Sequence, residues 1–272
     1  MPSPPARPIT STPDRRTGFA ERVCDQFGRH AADYDGEARL QQAIAWRLAR
    51  LCRDLPLGAG PCADLGAGSG LLSRALTDRA RALAARSPLQ LDLCPELLAR
   101  NPLPRRRTWD LNTGLPVELR GAALLASSFC LQWLQRPESA LRHWCRHLAP
   151  GGWLVLALPT AGSFPQWRQA AQAAAVPCSA LPLPGAERLV RAAREEGLAL
   201  RHEQVRRFSR TGAGGLESLR ALRRLGAAAS PSRPLSAGEL RRLLRHWPGA
   251  AGLSWEVLLL VGQQTENPAC AL

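Results

Sequence analysis

The sequence predicts an α/β fold with a doubly wound, mostly parallel sheet of seven strands. Short apolar runs alternate with amphipathic segments between residues 62 and 158, which is typical of a parallel sheet covered by helices on both faces. A glycine-rich turn at 66–70 follows the first of these runs and precedes a helix. Because glycines let the backbone bend sharply and approach a ligand closely, we expect a binding site at the carboxyl ends of the strands.

The N-terminal part of the chain is predicted to be helical after a short leader. Residues 1–13 are rich in proline, and we expect them to be disordered. Apolar residues then recur every three or four positions in two segments, 19–27 and 40–51, which indicates two helices. We expect one domain over 14–263 and a frayed tail over 264–272.

The strands and helices of the predicted sheet follow in order. Five strands are expected before residue 160, at about 61–65, 89–93, 107–111, 122–127 and 153–158. Helices are expected between them, at about 70–85, from 95 onward, and at about 138–148. Beyond residue 160 we expect a helix at about 186–196, strands at 199–208 and 255–261, and two helices at 215–225 and 237–246. The last two helices would form a lid inserted at about 212–248.

The charge of the chain is strongly positive, at a formal +14, and all 36 basic residues are arginine. The arginines are scattered, and no aromatic-plus-basic stacking platform is visible, so we expect no nucleic-acid partner. A basic surface would instead suit an acidic carrier protein.

The apolar pattern and the cysteines indicate the cellular location and the metal content of the protein. No apolar run approaches the roughly 18 residues of a membrane span, and the N-terminus lacks the apolar segment of a secretory signal. We therefore expect a cytoplasmic protein without a membrane partner. The eight cysteines show no C-x-x-C pair and no zinc-type spacing with histidine, so they predict no metal site.

The spacing of the glycines distinguishes between cofactors. A dinucleotide fingerprint needs G-x-G-x-x-G, but the position of its third glycine is Leu71. Gly66, Gly68 and Gly70 instead give G-x-G-x-G, preceded by Asp64. This pattern resembles motif I of the class I S-adenosylmethionine (SAM) methyltransferases. The resemblance implies that SAM is the cofactor and methyl donor, and that these four residues contact it.

Polar residues at the ends of the next strands are candidates for the same site. Asp92 ends the second strand and would accept both ribose hydroxyls. Asp110 would accept the adenine amino group while Leu111 packs on the ring. Ser127, followed by Ser128, ends the fourth strand beside the expected sulfonium. Each has a simpler alternative, since strand-end acids and serines also serve as turn or capping residues.

Five segments together resemble the malonyl-acyl-carrier-protein O-methyltransferases of biotin synthesis. They are 27–35, 131–133, 148–152, 219–227 and 253–257. The resemblance implies that the protein methylates the free carboxylate of malonyl-ACP, or of malonyl-CoA, to give the methyl ester that primes pimeloyl synthesis. A malonyl carboxylate is already ionised at pH 7, so no general base is needed. We expect a monomer that acts on acyl carrier protein (ACP).

The acceptor contacts follow from the same resemblance. Arg220 would bind the malonyl carboxylate, since a guanidinium forms paired hydrogen bonds with a carboxylate, and Tyr34 would donate its hydroxyl above the cofactor. A solvated arginine and a packing aromatic are the alternatives. The sequence departs from the family pattern at Cys94, Ala123 and Ser128. A methyltransferase of another small acid or small molecule, of the trans-aconitate type, and a non-catalytic SAM-binding protein therefore stay open.

Overall fold

The computed structural model describes residues 17–79, 83, 86–212, 214–249 and 251–265. The predicted leader at 1–13 lies outside these residues, as does the tail from residue 266 onward. None of the described helices is both long enough and apolar enough to cross a membrane.

Ten α-helices are found in the described residues. They are α1 (Thr17–Arg29), α2 (Tyr34–Glu37), α3 (Arg39–Leu51), α4 (Leu71–Arg79), α5 (Pro95–Arg100), α6 (Pro137–His147), α7 (Pro165–Ala173), α8 (Ala186–Glu195), α9 (Gly215–Arg224) and α10 (Ala237–Arg245). Helix α7 was not predicted, because its nine residues are mostly alanine and glutamine and show little apolar periodicity.

Seven strands form one sheet, which confirms the predicted doubly wound architecture. They are β1 (Cys62–Leu65), β2 (Leu89–Asp92), β3 (Arg106–Thr108), β4 (Ala122–Ser128), β5 (Leu148–Pro159), β6 (Leu198–Thr211) and β7 (Ala251–Gln264). The strand order is β3-β2-β1-β4-β5-β7-β6. Strands β1 to β5 are parallel, and β7 runs antiparallel to both of its neighbours. The order reverses between β1 and β4, so the carboxyl end of β1 lies at the switch point where such sheets bind ligands.

The two faces of the sheet bury separate apolar clusters. On β5, Leu154, Leu156 and Leu158 pack into the cluster on one face, and Val155 and Ala157 pack into the cluster on the other. All five are fully buried. Because successive side chains of a strand point to opposite faces, this alternation is expected of a strand covered by helices on both sides.

The predicted boundaries of several strands were wrong. Strand β3 ends at Thr108 rather than at 111, because Asp110 accepts a hydrogen bond from the Asn112 backbone N–H and turns the chain into a 3-10 helix. Strands β6 and β7 are longer than predicted, because most of the residues added at their ends, such as Ser209, Gly252 and Gln263, are polar or glycine and give no apolar signal. Gln264, the first residue of the predicted tail, pairs with Leu198 and is buried.

The segment between β6 and β7 packs its helices against α7. Leu222 of α9, Leu243 of α10 and Trp247 form an apolar cluster with Phe164 and Ala170. This cluster lies beside the carboxyl end of β5, so the inserted helices are placed next to the switch point of the sheet.

Candidate functional site

The glycine turn between β1 and α4 forms the floor of a cleft. Gly66 has φ +76°, and a Cβ there would lie 2.2 Å from Cys130 Sγ. A Cβ at Gly70 would lie 2.5 Å from the side-chain oxygen of Asn101. Gly66 and Gly68 line the cleft. Gly70 is not among the lining residues, so its role here is to let the turn pack against Asn101.

Asp64 is a buried carboxylate with one unused oxygen. Its Oδ2 accepts hydrogen bonds from the Ser73 N–H at 3.1 Å and from Ser73 Oγ at 2.8 Å. Its Oδ1 has no hydrogen-bond partner among the described residues, and the side chain is on the cleft wall. Burial, with a smaller contribution from the charge of Asp92, raises the pKa of Asp64 to about 7. A positively charged ligand group in the cleft would favour the ionised form.

Asp92 lies at the end of β2, where the sequence placed it. Its Oδ2 accepts a hydrogen bond from the Gly68 N–H at 2.7 Å, and its Oδ1 accepts one from the Cys94 N–H at 2.8 Å. Burial raises its pKa, and these backbone hydrogen bonds oppose the shift. Each oxygen of a carboxylate can accept more than one hydrogen bond, so the fixed side chain is still able to accept from a ligand.

Asp110 and Leu111 also line the cleft. The carboxylate of Asp110 accepts hydrogen bonds from both the backbone and the side-chain nitrogens of Asn112, at 2.9 and 2.8 Å. Leu111 is buried, and its neighbour Trp109 also lines the cleft. The sequence reasoning missed Trp109, although a tryptophan next to a strand-end acid was the available signal.

The structure corrects the assignment of Ser127. Its side chain is fully buried and donates a hydrogen bond to the carbonyl oxygen of Leu65 at 2.7 Å, so it ties β4 to β1. Ser128 lines the cleft instead, and its Oγ has no hydrogen-bond partner within the described part of the chain. The difference of one residue follows from the alternation of side chains along a strand.

Tyr34 belongs to a row of aromatic rings above the cleft. Its ring packs edge-on against Phe27, with centroids 6.1 Å apart, and Phe27 packs edge-on against Trp133 at 5.5 Å. Burial, together with the charges of Asp92 and Asp35, raises the pKa of Tyr34. The phenol therefore stays protonated and is available as a hydrogen-bond donor.

The helix that carries Tyr34 is fastened to the glycine turn. Asp35 accepts a hydrogen bond from Ser69 Oγ, and its second oxygen is 2.9 Å from a guanidinium nitrogen of Arg74. Helix α2 therefore covers the cleft through side-chain contacts with the turn.

The cleft is the first of three adjoining cavities. We call it the first chamber; it is open to solvent, and its empty space out to the opening is about 930 Å³. A second chamber of about 640 Å³ adjoins it. The two chambers share Phe27, Tyr34, Gln41, Phe129 and Trp133 as lining residues. The rest of the second chamber is mainly apolar, and no charged side chain of the described residues lines it.

The third cavity is a basic vestibule of about 1440 Å³, which shares four lining residues with the second chamber. Arg39, Arg210 and Arg224 line it. Arg224 forms ion pairs with Glu37 at 3.2 Å and with Glu217 at 2.8 Å. The cavities therefore run from an acidic chamber through an apolar one to a basic one.

Arg220 does not line any of these three cavities. It lies on the exposed side of α9, whereas Leu222 of the same helix faces the second chamber. The predicted contact between Arg220 and an acceptor in the chamber is therefore not formed in this conformation.

The chain is similar to known methyltransferases. A family model described as a methyltransferase domain matches residues 37–203, which is more than half of the chain. A malonyl-[acyl-carrier protein] O-methyltransferase of Methylococcus capsulatus is 32% identical over 161 residues, covering 57% of this chain and 56% of the relative. A malonyl-[acyl-carrier protein] O-methyltransferase of Neorickettsia risticii is 24% identical over 230 residues, covering 84% of this chain and 90% of the relative. The chain thus spans only a little over half the length of the Methylococcus relative.

The fold has similar solved structures. A putative methyltransferase of Haloferax volcanii, solved in complex with the Trm112 methyltransferase activator, superposes with a TM-score of 0.54 at 18% identity, covering 90% of this chain and 98% of the other. At 18% identity this similarity supports the fold alone. From the family match over residues 37–203, together with this fold, the chain belongs to the methyltransferase domain family.

Proposed function

We propose that the chain transfers the methyl group of SAM to the free carboxylate of malonyl-ACP, or of malonyl-CoA, giving the methyl ester that primes pimeloyl synthesis for biotin. The observation that carries this proposal is the junction of the first and second chambers at a shared aromatic wall. Phe27 and Tyr34 of that wall belong to segment 27–35, which resembles the malonyl-ACP methyltransferases. The Methylococcus and Neorickettsia relatives, both named malonyl-[acyl-carrier protein] O-methyltransferase, support the choice of acceptor.

The first chamber fits SAM at both ends of the cofactor. The unpartnered Oδ1 of buried Asp64 would accept a hydrogen bond from the cofactor ammonium. A Cβ at Gly68 would project toward Asp92 Oδ2 at 3.9 Å, so the absence of a side chain leaves this space for a ribose. Asp92 would accept the ribose hydroxyls, Asp110 the adenine amino group, and Leu111 would pack on the ring. SAM supplies an electrophilic methyl group on a sulfonium.

The second chamber would hold the acceptor and exclude water. A carboxylate is ionised at pH 7, so the protein has to orient it rather than deprotonate it. Tyr34 would donate its hydroxyl hydrogen at the junction. We expect Arg39 and Arg210 in the vestibule to attract the anionic acceptor and the acidic carrier. The chain would act as a monomer in the cytoplasm.

One observation favours a second candidate function. Because no charged side chain of the described residues lines the second chamber, the acceptor could be an uncharged small molecule, or a small acid of the trans-aconitate type bound in another way. A protein that binds SAM without catalysis would differ from both by forming no product.

A direct test is to incubate the protein with SAM and each acceptor separately, and to measure the masses of the products by mass spectrometry. Malonyl-ACP, malonyl-CoA and trans-aconitate are the acceptors, and acetyl-ACP is the matched control because it lacks the free carboxylate. We expect malonyl-ACP to gain one methyl group and acetyl-ACP none. Methylation of trans-aconitate alone would reject the malonyl assignment, and SAM binding without any product would favour a non-catalytic role.

Arg220 remains our candidate for the malonyl carboxylate, and it would require α9 to move toward the chamber. We expect Arg220→Ala to raise KM for malonyl-ACP by roughly tenfold, as for loss of a charge-assisted hydrogen bond, with SAM affinity unchanged. Arg223→Ala is the matched control, since both arginines are exposed on α9. Equal effects of the two variants would reject the role.

A further inference from the structure

Two cysteines and a glutamate meet beside the first chamber. The Sγ atoms of Cys24 and Cys94 and a carboxylate oxygen of Glu96 all lie within 4.8 Å of one another. The distance from Cys94 Sγ to Glu96 Oε2 is 3.3 Å. Within the described ranges, no other histidine, cysteine, aspartate and glutamate side chains form a group of three with this spacing. Thiolate sulfur and carboxylate oxygen are atoms that bind zinc, so the group is a candidate metal site.

The fold brings the group together from distant parts of the sequence. Cys24 lies on α1, Cys94 immediately precedes α5, and Glu96 lies within α5. Helix α1 approaches closely at Gly28, where a Cβ would lie 2.9 Å from Glu96 Oε2. Glycine at this position therefore leaves room for the glutamate carboxylate between the two helices. The 70-residue separation between the two cysteines explains why no zinc-type spacing was visible in the sequence.

The surroundings of the two thiols are acidic, in contrast to the net charge of +14 of the whole chain. Glu96 contacts Cys94 directly, and Glu96, Asp92 and Asp25 are the charged groups that act on Cys24. Carboxylates around two thiols favour a divalent cation.

We propose that Cys24, Cys94 and Glu96 bind a zinc ion. Zinc lies about 2.3 Å from thiolate sulfur and about 2.1 Å from carboxylate oxygen, so tetrahedral ligands are about 3.6–3.8 Å apart. The present separations, all within 4.8 Å, are close to this spacing. The two thiols lose one proton each to solvent as the two Zn–S bonds form, and no electron is transferred. Water would complete the fourth position.

The exposure of the three residues allows the ion to enter. Cys94 is buried, Cys24 is half-buried and Glu96 is exposed, so one side of the group faces solvent. Both cysteines also line the first chamber. A bound ion would therefore join α1 to the end of β2 and stabilise the N-terminal cover of the chamber. This inference goes beyond the proposed methyl transfer and does not depend on it.

The first experiment uses the unmodified protein. The reduced chain is alkylated with iodoacetamide in the presence and absence of zinc chloride, without SAM or acceptor, and the labelled cysteines are located by peptide mass spectrometry. We expect zinc to lower labelling of Cys24, the more accessible of the two thiols, at least about tenfold, because the metal holds its sulfur as a ligand. Cys178 is exposed and should label equally in both samples. Unchanged labelling of Cys24 would overturn the proposal.

The second experiment uses cobalt chloride as a spectroscopic probe of thiolate coordination. We expect a thiolate-to-cobalt charge-transfer band that disappears in Cys24→Ser and in Cys94→Ser and persists in Cys178→Ser. Zinc affinity should fall at least about tenfold in the first two variants, since loss of outer-shell partners alone costs about 10–100-fold. A band that survives Cys94→Ser in folded protein would overturn the proposal. All of these readouts are independent of methyl transfer.

Discussion

The substitution Asp64→Asn should have opposite effects on stability and on cofactor binding. The Asp64 side chain is 1% exposed and has an oxygen without a hydrogen-bond partner among the described residues. Its negative charge therefore destabilises the folded state when no ligand is bound. An asparagine oxygen can still accept the hydrogen bonds of Ser73. The substitution therefore removes the buried charge while keeping the local hydrogen bonds, and it also removes the anion that would pair with the SAM ammonium.

The magnitude follows from the pKa of Asp64, which rises from 3.8 to about 7 on folding. A shift of this size corresponds to about 4 kcal/mol. Because the folded-state pKa is the higher one, the carboxyl costs stability progressively as pH rises from about 4 to about 7, and the full cost is present above pH 7. The free energy of unfolding of Asp64→Asn, relative to that of the wild type, should thus rise by about 2.6 kcal/mol between pH 5 and pH 8.

The assay is urea unfolding of both proteins at pH 5 and pH 8 without cofactor, with Asp78→Asn as the control at an exposed carboxyl. Calorimetric titration with S-adenosylhomocysteine at pH 8 should show binding weakened by roughly tenfold or more, as for loss of a charge-assisted hydrogen bond. A stability difference that is the same at both pH values would refute the reasoning about burial. Unchanged affinity would refute the pairing with the ammonium.

Three further predictions concern the turn, the strand end and the cover. Gly66→Ala should lower the free energy of unfolding by roughly 2 kcal/mol or more, because the new methyl meets a sulfur in a left-handed backbone. Gly36→Ala is the control, because a Cβ at Gly36 would meet open space; its free energy of unfolding should stay within about 1 kcal/mol of the wild type. Equal urea midpoints for the two variants would contradict this prediction. Ser127→Ala should lower the free energy of unfolding by about 1 kcal/mol, because it removes a buried hydrogen bond, and Ser128→Ala should lower it by less. The reverse order would show that the two side chains are misplaced. Asp35→Ala should speed dissociation of S-adenosylhomocysteine in stopped-flow experiments, with equilibrium unfolding nearly unchanged. An unaltered rate would show that the contacts of Asp35 do not hold α2 over the cleft.

The candidate residues whose positions follow directly from the sequence are those at the ends of parallel strands. Asp64 and Asp92 follow short apolar runs, and parallel neighbours bring such ends to the same edge of the sheet. Sequence therefore placed both acids in one cleft with Gly68. The assignment failed by one residue at Ser127, because an apolar run such as Ala122–Ser128 is buried on both faces and contains no alternation to show which side chain faces the ligand.

The parts that were not predicted depend on contacts between distant segments. The second chamber forms where α1, α7 and the inserted helices meet, and no local pattern shows that Phe27, Trp167 and Leu222 face one cavity. The exposed position of Arg220 depends on the rotation of α9, which is set by packing of Leu222 in the core of the insertion. Helix periodicity indicated one apolar face but did not show which cavity that face would line.

The order of charges along the three cavities fits the proposed reaction without a general base. Three carboxylates, Asp64, Asp92 and Asp110, line the first chamber, where a cationic cofactor would bind. Arginines line the vestibule, from which an anionic acceptor would enter. The chamber between them has no charged side chain within the described residues. There the attraction between sulfonium and carboxylate is screened much less than in water. The protein would thus use its charges to deliver each reactant and its apolar chamber to bring the two together.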